Sequence, residues 1–286
     1  LSWFKSYLSD RTQSVVISGK TSTSKSILHG VPQGSVLGPV LFSLYMHPLS
    51  SIIKIHDFLY HFFADDSQVH DSATPDNFAN LVNRTSNAVE SISSWMERNR
   101  LKMNDDKTDV IAVGTKTNIG KTNINSITIN KSKINFSHSV RNLGVYFDEN
   151  LTMDRHINLT CKTLYFHLRR IAKIRQYLST DAAQKLVVSF ILSRLDYCNS
   201  LLVGISSDKI EKLQKIQNFA ARLVLRKSKY ESATHLLRKL HWLPVKARIE
   251  YKISTLCFKC VVEKSSPAYL RDIIQPYIQS RTLRSN

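Results

Sequence analysis

Over residues 78–95 apolar side chains recur every three to four positions, with Phe78, Leu81, Val82, Val89, Ile92 and Trp95 forming one stripe. That period is helical, and Thr74 or Asp76 offers a polar start, so "TPDNFANLVNRTSNAVESISSWMERNR" predicts a long amphipathic helix. Trp3, Phe4, Tyr7 and Leu8 share a helical face at the chain's opening. Shorter runs alternate instead. "TQSVVISG" and "KSILH" read as paired strands around a polar turn, "KTSTS", and "DFLYHFFADDSQVH" reads as strand, turn, strand. "KTDVIAVG" predicts another strand, and "SITINKSKINFSHSVRNLGVYFD" two or three more. Between these lies "HGVPQGSVLGPVLFSLYMHPLSSII", where Gly30, Pro32, Gly34 and Gly38 punctuate a loop. Ser35 is placed to cap a helix running through Leu37, Leu41, Leu44 and Tyr45.

From about residue 151 the period is helical almost throughout: 153–175, 180–195, 208–226, 230–239 and 244–263. The pattern predicts an α+β chain with a boundary near 150. An antiparallel sheet backed by helices at 37–53 and 75–99 is followed by a bundle of about five helices.

Charge sharpens that division. The formal net charge is +18, and it is unevenly spread. Residues 1–150 hold 15 Lys and Arg against 13 Asp and Glu, whereas residues 151–286 hold 25 against 9. A nearly neutral part is joined to a strongly cationic one, and such an excess points to a polyanion, either nucleic acid or an anionic membrane, the alternative being an ordinary charged surface. The four cysteines (Cys161, Cys198, Cys257, Cys260) are too irregularly spaced for a disulfide framework. "CFKC" falls inside a helical pattern without a second pair, so it predicts packed helix cysteines rather than a zinc site. There is no signal peptide, and no apolar run approaches the about 18 residues that span a bilayer. The chain begins without Met, and its first helix is entered midway, so it reads as a fragment of something longer.

Three constellations carry candidate chemistry. The first is the acid pair Asp65–Asp66, expected at the hairpin tip, with Asp65 on the face of Phe63 and His61 and Asp66 starting the turn. Asp-Asp suits a tight turn poorly, and adjacent carboxylates repel unless a cation lies between them. Either the pair is an ordinary solvated turn, or it holds hard cations such as Mg²⁺. The second is "GVPQGSVLGP", a glycine-rich loop ahead of a helix, where backbone and phosphate approach each other closely. Gln33 there both donates and accepts, which suits a base edge. The third is Lys107 in "LKMNDDKTDVIAVG", either a solvated surface lysine or a phosphate clamp or general acid.

Taken in order, "WFKSYLSDRTQSV", "GVPQGSVLGPVLF", "FFADDSQV", "LKMNDDKT" and "VRNLGVYFDENLTMDRHI" resemble the reverse transcriptase of non-LTR (LINE-like) retrotransposons. Residues 1–150 resemble its palm. Residues 151–286, with "SRLDYCNSLLVG", "KLQKIQNFAARLV" and "HWLPVKARIEYK", resemble its thumb and following helices. The resemblance implies an RNA-directed DNA polymerase that uses two-metal nucleotidyl transfer with Mg²⁺ or Mn²⁺. Its partners would be an RNA template, a DNA primer and deoxynucleoside triphosphates, with no membrane.

The resemblance also implies roles. Asp65 and Asp66 would be metal ligands, Asp65 the more direct, with Phe63 at the motif's aromatic position. Gly30, Gln33, Gly34 and Ser35 would line the template and nucleotide pocket, and Lys107 would lie near the triphosphate. Leu143 and Gly144 would centre the primer grip. The basic helices, including Arg169, Arg170 and Lys173, would follow the template–primer backbone. The family carries a further metal-binding aspartate and the fingers upstream of this chain's start. The expectation is therefore a partial palm that binds Mg²⁺ weakly and is inactive in isolation. The alternatives are a non-catalytic nucleic-acid-binding module or a degenerate relic. The resemblance implies a nuclear or cytoplasmic location and leaves oligomeric state open.

Overall fold

The computed structural model describes residues 2–104, 107–129, 132–263 and 265–274. It divides into two compact units, one of residues 1–108 with 117–136 and the other of residues 109–116 with 137–286.

In the first unit, α1 (Ser2–Leu8) leads into β1 (Arg11–Gln13), β2 (Val16–Ile17), β3 (Lys20–Thr21) and β4 (Lys25–Ile27). β1 pairs with β4, and β2 pairs with β3 inside them. The turn lies at Ser18–Gly19 rather than at Lys20–Ser24, because both residues take positive φ (49° and 78°) and close a two-residue reversal. Next come α2 (Gly38–Met46), α3 (Leu49–Ile55), β5 (Leu59–Phe63), β6 (Asp66–His70) and α4 (Phe78–Arg98). The single helix expected over 37–53 is two, broken at Pro48, which lacks the amide hydrogen needed to continue α2. The unit closes with α5 (Lys116–Lys121), β7 (Ser126–Ile129) and β8 (Ser132–Asn135), β7 pairing with β8.

One core holds α2, α3, α4 and the β5–β6 hairpin. Met46, Leu49, Ile53, Phe58, Ala88, Ile92 and Trp95 are buried, and Tyr60, Phe62 and Val69 pack against them. Tyr60 and Val69 are register partners, so the hairpin seats one face on the helices. Its other face, with Leu59 and Phe63, is open. Truncating Leu49 or Ile53 to Ala would cost about 2–5 kcal/mol.

In the second unit, β9 (Ser139–Asn142) pairs with β10 (Val145–Asp148). Helices follow: α6 (Asp154–Ile174), α7 (Thr180–Val187), a π turn over Val188–Leu192, α8 (Ser193–Asp196), α9 (Ser207–Leu225), α10 (Ala233–Lys239), α11 (Val245–Val261) and α12 (Ala268–Ile273). Asp148 starts α6 by accepting from the amides of Thr152 and Met153 at 2.8 and 2.7 Å. Ile157, Leu164, Leu168 and Ile171 are buried along α6, and Ile216, Ala220 and Val224 along α9. Gln217, fully buried in α9, donates to the Leu243 carbonyl at 2.8 Å. Its neighbour Gln214 accepts from the Val245 amide at 2.8 Å. These amides tie the start of α11 to α9 and leave neither polar group unsatisfied.

Antiparallel hairpins interspersed with helices, then a run of helices, make the chain α+β. The strands form five two-stranded antiparallel sheets among the described residues. Residues 107–114 form no regular strand. The segment makes isolated bonds instead, Ser137 N–H to Val110 O at 2.8 Å and Gly114 N–H to Glu149 O at 2.9 Å.

Candidate functional site

The acid pair stands at the tip of the β5–β6 hairpin. Phe63 pairs with Asp66, so the reversal consists of Ala64 and Asp65. The expected faces are therefore corrected. Asp65 is the second turn residue, and Asp66 opens β6 on the face of Phe63, His61 and His70. Residues directly opposite in an antiparallel pair project to the same side, which fixes that face. His61 and His70 stack on it at 5.5 Å. Ala64 carries φ of 53°, a left-handed conformation that a side chain with a Cβ rarely adopts.

Both carboxylates are exposed, and among the described residues neither has an ion-pair partner. Carboxylate oxygens fit Mg²⁺ or Mn²⁺ in kind. Two carboxylates supply fewer ligands than two six-coordinate ions need, so phosphate, water or further carboxylates would complete the set. Among the described residues no group of three His, Cys, Asp or Glu stands together.

The glycine-rich loop precedes α2, whose residues Phe42 and Met46 share the core that seats the hairpin. Gly30 and Gly34 take φ of 80° and 81°, which a side chain would strain. Ser35 Oγ accepts from Tyr7 Oη at 2.7 Å and from the Gly38 amide at 3.2 Å. The second bond satisfies the first helical N–H, so Ser35 acts as a cap although it lies two residues before the formal one. A Cβ on Gly38 would come within 3.0 Å of that oxygen. Gln33 is exposed.

Lys107 is exposed, and its amide donates to Asn104 O at 3.0 Å. Residues 105 and 106 of the same motif lie outside the described residues. Among the described residues no hydrogen bond or ion pair joins Lys107 or Gln33 to Asp65 or Asp66. The structure thus gathers the loop's helix and the acidic hairpin onto one core, and leaves Lys107 on the surface.

In the second unit, Leu143 (φ 44°) and Gly144 (φ 85°) form the two-residue turn between β9 and β10. Tyr197 Oη donates to Leu143 O, and its ring lies 3.5 Å from where a Cβ on Gly144 would stand. Arg169, Arg170 and Lys173 are exposed on α6 and form no ion pair among the described residues. Other cations are engaged. Lys209 reaches Asp154 at 3.0 Å and Thr152 O at 2.9 Å, and Arg248 reaches Asp196 at 2.6 Å.

Sequence reasoning missed Phe166, Phe190 and Arg194, exposed beside this cationic face. Arg170 following Phe166 by four residues was a readable signal. The π turn that presents Phe190 has no comparable sequence signature.

The model of the reverse transcriptase (RNA-dependent DNA polymerase) family matches residues 1–147. The RNA-directed DNA polymerase from mobile element jockey of Drosophila melanogaster is 28% identical over 158 residues, covering 54% of this chain and 17% of the relative. The probable RNA-directed DNA polymerase from transposon X-element of the same organism is 27% identical over 241 residues, covering 77% and 24%. That from transposon BS, also of Drosophila melanogaster, is 26% identical over 257 residues, covering 86% and 28%. The chain thus spans between 17% and 28% of the length of these relatives. No solved structure matches the chain.

Proposed function

The chain belongs to the reverse transcriptase (RNA-dependent DNA polymerase) family, of the non-LTR retrotransposon kind, and we propose that it supplies the acidic hairpin and the nucleic-acid-binding helices of an RNA-directed DNA polymerase. The observation that carries this reading is the Asp65–Asp66 tip, held by a hairpin seated on the core that also anchors the helix behind the glycine-rich loop. Bound Mg²⁺ or Mn²⁺ would acidify a primer 3′-hydroxyl and offset charge on the departing pyrophosphate. Asp65 and Asp66 would hold the cation through their carboxylates, with Asp65 the more direct ligand. Phe63, beside Asp66 on the open face, would shape the approach to it.

Backbone around Gly30 and Gly34 would lie against the templating or incoming nucleotide, with Gln33 bonding a base edge and Ser35 holding the helix start. Lys107 would neutralise phosphate charge. The Leu143–Gly144 turn, fixed by Tyr197, would position the primer end. Arg169, Arg170 and Lys173 would meet the backbone of the RNA template and DNA primer. Deoxynucleoside triphosphates are the second substrate.

With two carboxylates at the tip, the chain by itself would hold the cation weakly and synthesise little. Primer extension on an RNA template with Mg²⁺ or Mn²⁺ tests this. The expected result is negligible synthesis by the chain alone. Robust synthesis abolished by Asp65→Ala would overturn the inactivity and keep the assignment of Asp65.

A non-catalytic nucleic-acid-binding module is the second reading, favoured by the concentration of positive charge in residues 151–286. It predicts a steep salt dependence of binding to an RNA–DNA hybrid that Asp65→Ala leaves unchanged.

A further inference from the structure

Residues 155–195 contain eight Lys and Arg but a single acid, Asp181. Asp181 is paired with Lys185 at 2.8 Å. On the surface of this stretch three rings gather. His167 of α6 stacks on Phe190 of the π turn, centroids 5.3 Å apart and planes 27° apart, and Phe166 meets His167 edge-on at 5.5 Å. Phe166 is 53% exposed and Phe190 41% exposed. The Arg170 guanidinium lies 5.4 Å from the Phe166 centroid.

The π turn explains how Phe190 and Arg194 come to be there. The Ser193 amide donates to Val188 O, five residues back rather than four. The wide turn displaces the ladder, and side chains take up carbonyls along it: Ser193 Oγ donates to Ser189 O, and Arg194 Nη1 to Phe190 O at 2.9 Å. Arg194 is thereby held beside the rings with donors to spare. Neither Arg170 nor Arg194 is in an ion pair among the described residues. His167 is held below its usual imidazole value by burial and then by Arg194 and Arg170, so at neutral pH it presents an uncharged ring.

Partly exposed rings interleaved with guanidinium groups outside any ion pair match unpaired bases on a phosphate backbone. A duplex buries its base faces and would use the arginines alone. We propose that Phe166, His167 and Phe190, flanked by Arg170 and Arg194, form a stacking platform for the unpaired bases of a single-stranded nucleic acid. This rests on the nucleic-acid reading above and adds the form of strand that the helical unit takes.

The test is fluorescence anisotropy with the full chain and labelled 12-mers: single-stranded RNA, single-stranded DNA, the same strands annealed, and an abasic strand of equal phosphate count. Intact single strands should bind about tenfold or more tighter than the abasic strand. Phe166→Ala with Phe190→Ala should erase that difference while leaving abasic binding in place. Arg170→Gln with Arg194→Gln should weaken all four. If the alanine pair unfolds the chain, Phe166→Leu with Phe190→Leu keeps the packing, removes the rings, and should erase the same difference. Equal binding of intact and abasic strands, or a preference that survives the leucine pair, would overturn the platform and leave the nucleic-acid reading standing. No binding to any of the four would overturn both.

Discussion

Arg175 and Arg226 close the ends of each other's helices. Arg175, just past α6, donates to the carbonyls of Leu223 and Val224 at 2.9 and 2.6 Å, in the last turn of α9. Arg226, just past α9, donates to the carbonyls of Arg175, Gln176 and Leu178 at 3.1 to 3.2 Å. Each cation adds donors to carbonyls at the negative end of the opposite helix. Two of the basic residues that a charge count assigns to nucleic acid therefore hold the fold. Burial, and then the positive Arg226, lower the pKa of Arg175, but a guanidinium remains charged. Arg175→Met should cost about 2–4 kcal/mol in urea denaturation, because the Val224 carbonyl loses its donor and the Leu223 and Leu178 carbonyls keep only the bonds from Arg226. Arg175→Lys should keep the charge yet recover only part of that loss, since one ammonium cannot replace the planar fork.

Exposed cations should behave differently. Arg169→Ala and Lys173→Ala should leave folding intact and weaken binding to an RNA–DNA hybrid, each lowering the slope of log K against log salt by about 1. Lys209→Ala should leave the slope unchanged, because Asp154 and the Thr152 carbonyl already engage that ammonium.

The β9–β10 turn should be sensitive to one hydroxyl and one hydrogen. Tyr197→Phe removes the bond to Leu143 O and should cost about 1 kcal/mol. Gly144→Ala should cost about 1 kcal/mol through its φ of 85° rather than through a clash, since the Tyr197 ring stands at ordinary contact distance. Thermal or urea melts of the two variants check both values.

Acidification should loosen the helical unit. Burial holds His156 below the ordinary imidazole value of 6.5, and His167 is shifted the same way. Near and below that value the unfolded chain takes up protons that the folded chain resists. Stability is therefore full above about pH 6.5 and falls as the pH drops through the folded values. His156→Gln should flatten part of the fall in melting temperature between pH 7.5 and 5, leaving the share due to His167.

The helices were legible because their apolar period is local. α6, α9 and α11 begin and end within one or two residues of the spans that the pattern predicts. The tip at Asp65–Asp66 was legible as a hairpin but not in register. Alternation shows that two strands exist, while a left-handed Ala64 decides which residues turn. The 107–114 segment misled because Val110, Ile111 and Val113 look like a strand. A strand needs a ladder partner, which propensity does not supply. The π turn at Val188–Leu192 interrupts a helical run that reads as continuous over 180–195, so nothing in the local pattern marks Phe190 and Arg194. Net charge pointed correctly to a cationic half but did not distinguish Arg175 and Arg226 from Arg169 and Lys173.

The most direct test of the acidic tip is an electron paramagnetic resonance titration of the full chain with Mn²⁺, comparing the unaltered chain with Asp65→Asn/Asp66→Asn. Weak, saturable uptake of one or more ions that the double variant loses, with its melting temperature unchanged, is the predicted result. Superimposable titrations of the two proteins would contradict the assignment of these carboxylates to a divalent cation.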